Sequence, residues 1–191
     1  MTKDCKDVFM EIYRSKVWGD GSGGGSAPEV ARPYISFMST VILGAMCSHR
    51  YFTVLDIGCG DGAIADQIDW YNAMYVGIEA STCELAEMGG QPLHIFQNFD
   101  ALTDPLPAAD LVLCKEVMQH LSNEQVQLLL DRTAHYKIRF FTNSKPGPEV
   151  TENEDIDTGG FRPVDLSLPP FNQPCKTVLE YGCWHVQELR R

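Results

Sequence analysis

Val54-Leu55-Asp56-Ile57-Gly58-Cys59-Gly60-Asp61-Gly62 decides how this chain is read. A buried apolar run from Phe52 to Ile57 stops at three glycines spaced G-x-G-x-G, and Ala63 to Trp70 beyond them has helical character. A strand that feeds a glycine turn and then a helix lets a ligand approach bare backbone and meet free amide groups. The spacing departs from the G-x-G-x-x-G dinucleotide fingerprint, whose third glycine packs a helix beneath a pyrophosphate. Taken alone, such a loop is as readily a tight turn as a ligand cradle.

Around it, short strands alternate with helices. Strands are expected at Met74–Ile78, Leu93–Phe96, Leu111–Cys114 and Ile138–Thr142, and a helix at Ser81–Met88. Ser122-Asn123-Glu124-Gln125 is a capping box that opens another helix, with Val126, Leu129, Leu130 and Thr133 on its inner face. This alternation predicts a Rossmann-like α/β fold, a doubly wound, mostly parallel sheet with helices on both faces. Residues 144–175 hold six prolines and no periodicity, so a long ordered loop is expected in place of a crossover helix. Lys176–Tyr181 and Trp184–Leu189 then close a seven-stranded sheet as a hairpin across Gly182, with the last strand antiparallel.

Ahead of the loop, Cys5, Val8, Phe9 and Ile12 mark an amphipathic helix ending near Trp18-Gly19. Gly19–Ser26, with five glycines and two serines, has linker composition. Ser26-Ala27-Pro28-Glu29 has capping-box form and starts a helix running to about Cys47, which Pro33 is expected to kink or split. The expected organisation is one domain over 1–191: a helical lid segment (1–48), a core (49–143), a loop (144–175) and a hairpin (176–191).

Fifteen Lys and Arg against 26 Asp and Glu give a net charge of −11, which repels a phosphate backbone and argues against a long nucleic-acid substrate. Seven cysteines form no CxxC pair and no zinc-ligand spacing, as expected of free thiols in a reducing, cytoplasmic setting. The charged N-terminal residues are not expected to act as a signal peptide, and no uncharged apolar stretch reaches the roughly 18 residues of a membrane span. No membrane association is expected.

Glu79 ends the second strand 19 positions past Gly60, where an acidic side chain can accept hydrogen bonds from both hydroxyls of a ribose. Asn98-Phe99-Asp100-Ala101 follows the third strand, where a carboxylate and a backbone amide can read an adenine edge. Either acid alone is as well read as a solvated charge. The set VLDIGCGDG, GIEAS, NFDAL and DLVLCKEVMQHL resembles the successive motifs of class I S-adenosylmethionine (SAM)-dependent methyltransferases over about residues 50–145. The resemblance implies SAM as cofactor and S-adenosylhomocysteine as product. It places Asp56 at the methionine amino group, Gly58, Cys59 and Gly60 along the methionyl moiety, Glu79 and Ala80 at the ribose, and Asp100 and Ala101 at the adenine. Lys115 joins them at the end of the fourth strand. The N-terminal segment is similar to that of small methyltransferases acting on sugars and related metabolites, which would make Trp18, Ser22, Gly23 and Ser26 a lid over the SAM carboxylate.

Methyl transfer to a hydroxyl needs alignment and removal of a proton. His120 is the expected general base, its alternative being a packing role against the next helix. Glu116, Asn143, Asp155 and Arg162 are candidate acceptor contacts; the competing reading of Asp155 and Arg162 is a salt bridge that orders the loop. No metal is expected. The leading function is O-methylation of a small polar acceptor, a sugar or glycan hydroxyl being favoured. The alternatives are methylation of protein or RNA, and a SAM-binding module without turnover. The sequence leaves oligomeric state open.

Overall fold

The computed structural model describes residues 5–17, 27–81 and 93–191. Trp18, Ser22, Gly23, Ser26 and all but the first residue of the expected Ser81–Met88 helix lie outside that range.

Seven strands form one sheet: β1 (Thr53–Ile57), β2 (Met74–Ile78), β3 (His94–Gln97), β4 (Leu111–Lys115), β5 (Ile138–Ser144), β6 (Lys176–Tyr181) and β7 (Trp184–Arg190). Their spatial order is β3-β2-β1-β4-β5-β7-β6, with β1 to β5 parallel and β7 antiparallel to both β5 and β6. The expected Rossmann-like architecture, last strand included, is the observed one. Central strands are buried on both faces, which is why β1, β2 and β4 read as apolar runs and not as alternation.

Three helices accompany the sheet among the described residues: α1 (Cys5–Arg14), α2 (Pro28–Ser48) and α3 (Asn123–Thr133). One core joins Leu55, Ile57, Val112 and Phe141 to Val126, Leu129 and Leu130 of α3. The opposite face joins Val54, Leu113 and Phe140 to Tyr34, Met38 and Ile42 of α2. The α3 capping box forms as expected, Gln125 N–H donating to Ser122 Oγ and Ser122 N–H to Gln125 Oε1. Glu29–Ser48 is long and apolar enough to cross a membrane by length and composition, yet Ala31, Tyr34, Met38 and Ile42 are buried against the sheet.

Three expectations for helices change. α2 caps at Ala27 with no side-chain bond, and Pro28 occupies the first turn, where its missing N–H costs nothing. Pro33 lies inside this helix and does not split it, because packing of the buried face outweighs one lost hydrogen bond. Ala63–Trp70 shrinks to a single 3-10 turn at Ala65–Gln67. Trp70 donates its Nε1–H to Ala65 O at 2.8 Å and tucks its ring 4.6 Å from that of Tyr75, while Tyr71 and Asn72 take positive φ and turn the chain into β2.

Residues 145–175 contain no helix or strand. They act as a wall: Val164, Leu166 and Phe171 are buried in the α3-side core, filling the place of a crossover helix. Side chains satisfy the backbone that a helix would have satisfied internally. Asn153 Nδ2 donates to Asp165 O and Pro169 O, and Gln187 of β7 pairs with Leu166 N and Asp165 Oδ1.

Candidate active site

The C-terminal ends of β1, β2 and β4 open onto a cavity of about 420 Å³, within the range of small-molecule sites. The glycine loop forms one wall. Gly58, Gly60 and Gly62 have φ of 72°, 58° and 74°, a region that other residues adopt only at a cost. At Gly58 the requirement is steric too: a Cβ would lie 2.2 Å from Val117 Cγ2. Gly58 and Cys59 donate their N–H groups to Ile78 O, which locks the loop onto the end of β2.

Asp56, at the mouth of β1, accepts the Tyr75 hydroxyl hydrogen at 2.8 Å. Burial pushes its carboxyl up to about 7, against the opposing effects of that bond and of the Lys115 charge. Glu79 lies at the end of β2, nearly buried, and accepts from Gly60 N–H at 3.1 Å and from Ser81 N–H at 2.9 Å. Asn98 Nδ2 donates to Glu79 O and Ala80 O and thereby ties the segment after β3 to that after β2. Asp100 accepts from Leu102 N–H, and Ala101 O accepts from Arg132 Nε.

Cys59, Gly60, Ala80, Ala101 and Lys115 also line this cavity, so every described residue expected on the cofactor side meets there. Lys115 pairs with Glu116 at 2.6 Å, both side chains nearly buried, and its Nζ stands 5.9 Å from the centre of the Tyr34 ring. Glu116 takes a φ of 58° as its N–H bonds to Thr142 O, a turn that carries it off the strand and into the cavity wall.

His120 lines the cavity from the 3-10 turn Met118–His120 that follows β4. Its Nδ1 lies 2.7 Å from Gly160 O, a carbonyl that can only accept, so Nδ1 carries the hydrogen and Nε2 holds the lone pair. Burial pulls its pKa below the usual histidine value and Arg162 adds to this, opposed by the Gly160 bond and by Glu116. Phe161 stands beside it, ring centres 5.8 Å apart, at the exposed mouth.

Three expected acceptor contacts sit elsewhere. Asn143 is buried in β5 opposite His185 and does not line the cavity, because its place in the strand alternation turns it toward the other face from Ser144, which does. Arg162 is buried and donates from Nε, Nη1 and Nη2 to Glu154 O, Met118 O and Asn123 Oδ1. Asp155 accepts from Asn123 N–H and Ile156 N–H. Both order the loop, through backbone and amide partners.

Conversely, Phe9 and Tyr13 of α1, Tyr34 of α2, Gln119, Ser144 and Trp184 line the cavity and were not singled out by motif. The Cys5, Phe9, Tyr13 stripe of α1, at i, i+4 and i+8, was a readable signal. Lys6 holds that helix in place by donating to Asn98 Oδ1 at 2.8 Å. Among the described residues no group of three or more His, Cys, Asp or Glu is arranged to hold a metal.

The three carboxylates and the narrow glycine wall suit a ligand with positive charge and vicinal hydroxyls. Residues 55–134 match a family model described as a methyltransferase domain. No curated protein sequence matches significantly. Among solved structures, the chain is similar to magnesium protoporphyrin IX methyltransferase from Synechocystis PCC 6803 with bound S-adenosylhomocysteine (13% identity, 98% of this chain and 100% of that one, TM-score 0.64). It is also similar to the N-methyltransferase NodS from Bradyrhizobium japonicum WM9 (12% identity, 98% and 99%, TM-score 0.65). Human N-acetylserotonin methyltransferase in complex with SAM aligns over 99% of this chain and 60% of its own, at 16% identity and TM-score 0.60.

Proposed function

We propose that this cavity binds SAM and directs the methyl group to a small polar acceptor, a reading supported by the match of residues 55–134 to a methyltransferase-domain model and by the fold shared with SAM-dependent methyltransferases. The observation that carries this is the convergence of Asp56, Glu79 and Asp100 with the glycine loop on one cavity. In this reading Asp56 holds the ammonium group, Glu79 the ribose hydroxyls and Asp100 with Ala101 the adenine. SAM supplies an electrophilic methyl group on a cationic sulfur, which the acidic lining favours electrostatically.

The chain's own part is to exclude water, align the acceptor and take its proton. His120 Nε2, unprotonated and on the cavity wall, is the base in this reading, with Lys115 and Glu116 flanking the acceptor. The acceptors named for the solved relatives differ from one another, so acceptor class rests on this cavity. A hydroxyl acceptor, with a sugar or glycan favoured, fits a site that pairs a neutral base with polar side chains. A metal has no assigned role, and activity is expected to persist in a chelator. The seven cysteines, scattered with no CxxC pair, suit a reducing, cytoplasmic setting.

The test is thermal stabilisation by SAM, then transfer of labelled methyl to a panel of sugars, small hydroxylated compounds, peptides and RNA. Labelled sugar or small-molecule product supports the proposal. Labelling confined to peptide or RNA supports the alternative acceptor classes, and stabilisation with no product supports a SAM-binding module.

A further inference from the structure

Gln119 is buried, lies on the cavity wall and touches three parts of the site. Its backbone carbonyl accepts from Arg162 N–H at 3.0 Å, which fastens the long loop to the turn after β4. Its side-chain Oε1 accepts from Ser144 N–H at 2.8 Å, at the end of β5. Its Nε2 faces His120 Nε2 at 3.4 Å. The first side-chain contact fixes the second: a backbone N–H can only donate, so the amide oxygen must point at Ser144 and the amide NH₂ must point at the imidazole. Gly160 O independently requires the hydrogen on Nδ1. The two constraints, from opposite sides of the ring, demand the same tautomer.

We propose that Gln119 is a positioning residue for His120: anchored on Ser144, its amide holds the imidazole with Nε2 unprotonated and directed along the cavity wall. The contact at 3.4 Å is long for a hydrogen bond, so an acceptor hydroxyl displaces it at little cost while the ring keeps its orientation. Among the described residues, the charged groups acting on the ring include Glu116 from the end of β4 and Arg162 from the loop, and Phe161 and Gly160 stand against it. The proposal rests on His120 as the base for its catalytic meaning, and on hydrogen-bond geometry alone for the tautomer.

Two variants test it in the full chain without any acceptor, read by proton–nitrogen correlation spectra of the histidine rings, with His120 assigned by loss of its signal in His120→Ala. In Gln119→Glu the carboxylate keeps the Ser144 bond and offers an acceptor to Nε2–H. The His120 midpoint is expected to rise by at least about one pH unit, as an anion beside a histidine dictates. Gln119→Met keeps the volume and removes both side-chain bonds. Here the Nε2-protonated tautomer is expected to become detectable, with SAM-induced stabilisation unchanged. An unmoved midpoint in Gln119→Glu, or a single unchanged tautomer in folded Gln119→Met, overturns the proposal. If His120 is not the base, the spectra still shift as stated while methyl transfer by Gln119→Met stays at the wild-type rate; if it is, kcat falls and KM for SAM holds.

Discussion

Tyr75 donates its hydroxyl hydrogen to Asp56 Oδ2 at 2.8 Å across adjacent parallel strands, and this bond joins the floor of the sheet to the first carboxylate of the site. Among the described residues it is the side-chain hydrogen bond to an acid whose burial holds its carboxyl at about 7.

The sign of the consequence follows from that elevation. A raised folded pKa stabilises the protein fully below the unfolded value of about 4 and loses that contribution as pH rises through about 7. Without ligand, Asp56→Asn is therefore expected to melt higher than wild type at pH 8, the gap closing toward pH 4. A bound cation reverses the preference, so wild-type affinity for SAM falls as pH drops below 7, and Asp56→Asn binds weakly with a flat pH profile. Calorimetry at three pH values checks both.

His120 must be neutral to take a proton, and burial lowers its pKa. With SAM saturating, the pH profile of kcat/KM for the acceptor is expected to rise to a plateau with its midpoint below 6.5. His120→Ala should reduce kcat by about 10²–10⁴-fold with SAM binding intact. A variant with full activity returns His120 to a packing role.

Gly58→Ala combines a left-handed φ with a Cβ placed 2.2 Å from Val117 Cγ2, a steric overlap. A destabilisation above about 1 kcal/mol is expected, together with loss of SAM binding. Adding Val117→Ala removes the overlap and recovers only part of the loss. Full recovery in the double variant would show that φ is not the constraint.

Arg162→Ala leaves Glu154 O, Met118 O and Asn123 Oδ1 without their cationic donor. A loss of about 1.5–3 kcal/mol is expected in urea unfolding, with faster proteolysis in residues 145–175. Were Arg162 an acceptor contact instead, KM for the acceptor would rise with stability unchanged.

The sequence made the sheet legible because buried parallel strands are short apolar runs that end at their chemistry: Ile57 before the glycine loop, Ile78 before Glu79, Lys115 before Glu116. The same logic brought the residues expected on the cofactor side to one cavity, since they sit at strand ends that the topology gathers. Acceptor-side contacts were less legible. Asn143 and Ser144 are neighbours in sequence, and only the pleat, fixed by pairing with β7, decides that Ser144 faces the cavity. Trp184 reaches the site because β7 folds back beside β5, a pairing distant in sequence. Arg162 read as a candidate grip for a polar ligand, whereas its buried guanidinium ties Glu154 O of the loop to Met118 O and Asn123 Oδ1.

Titration of SAM into the protein by calorimetry at pH 8, alongside Glu79→Ala, bears most directly on the proposed site. Glu79 bonds the loop at Gly60 and is assigned the ribose, so the proposal predicts one SAM per chain and a loss of affinity of at least about tenfold in the variant, the equivalent of 1.4 kcal/mol. No heat of binding and no thermal stabilisation at millimolar SAM, in a folded wild-type protein, would contradict it.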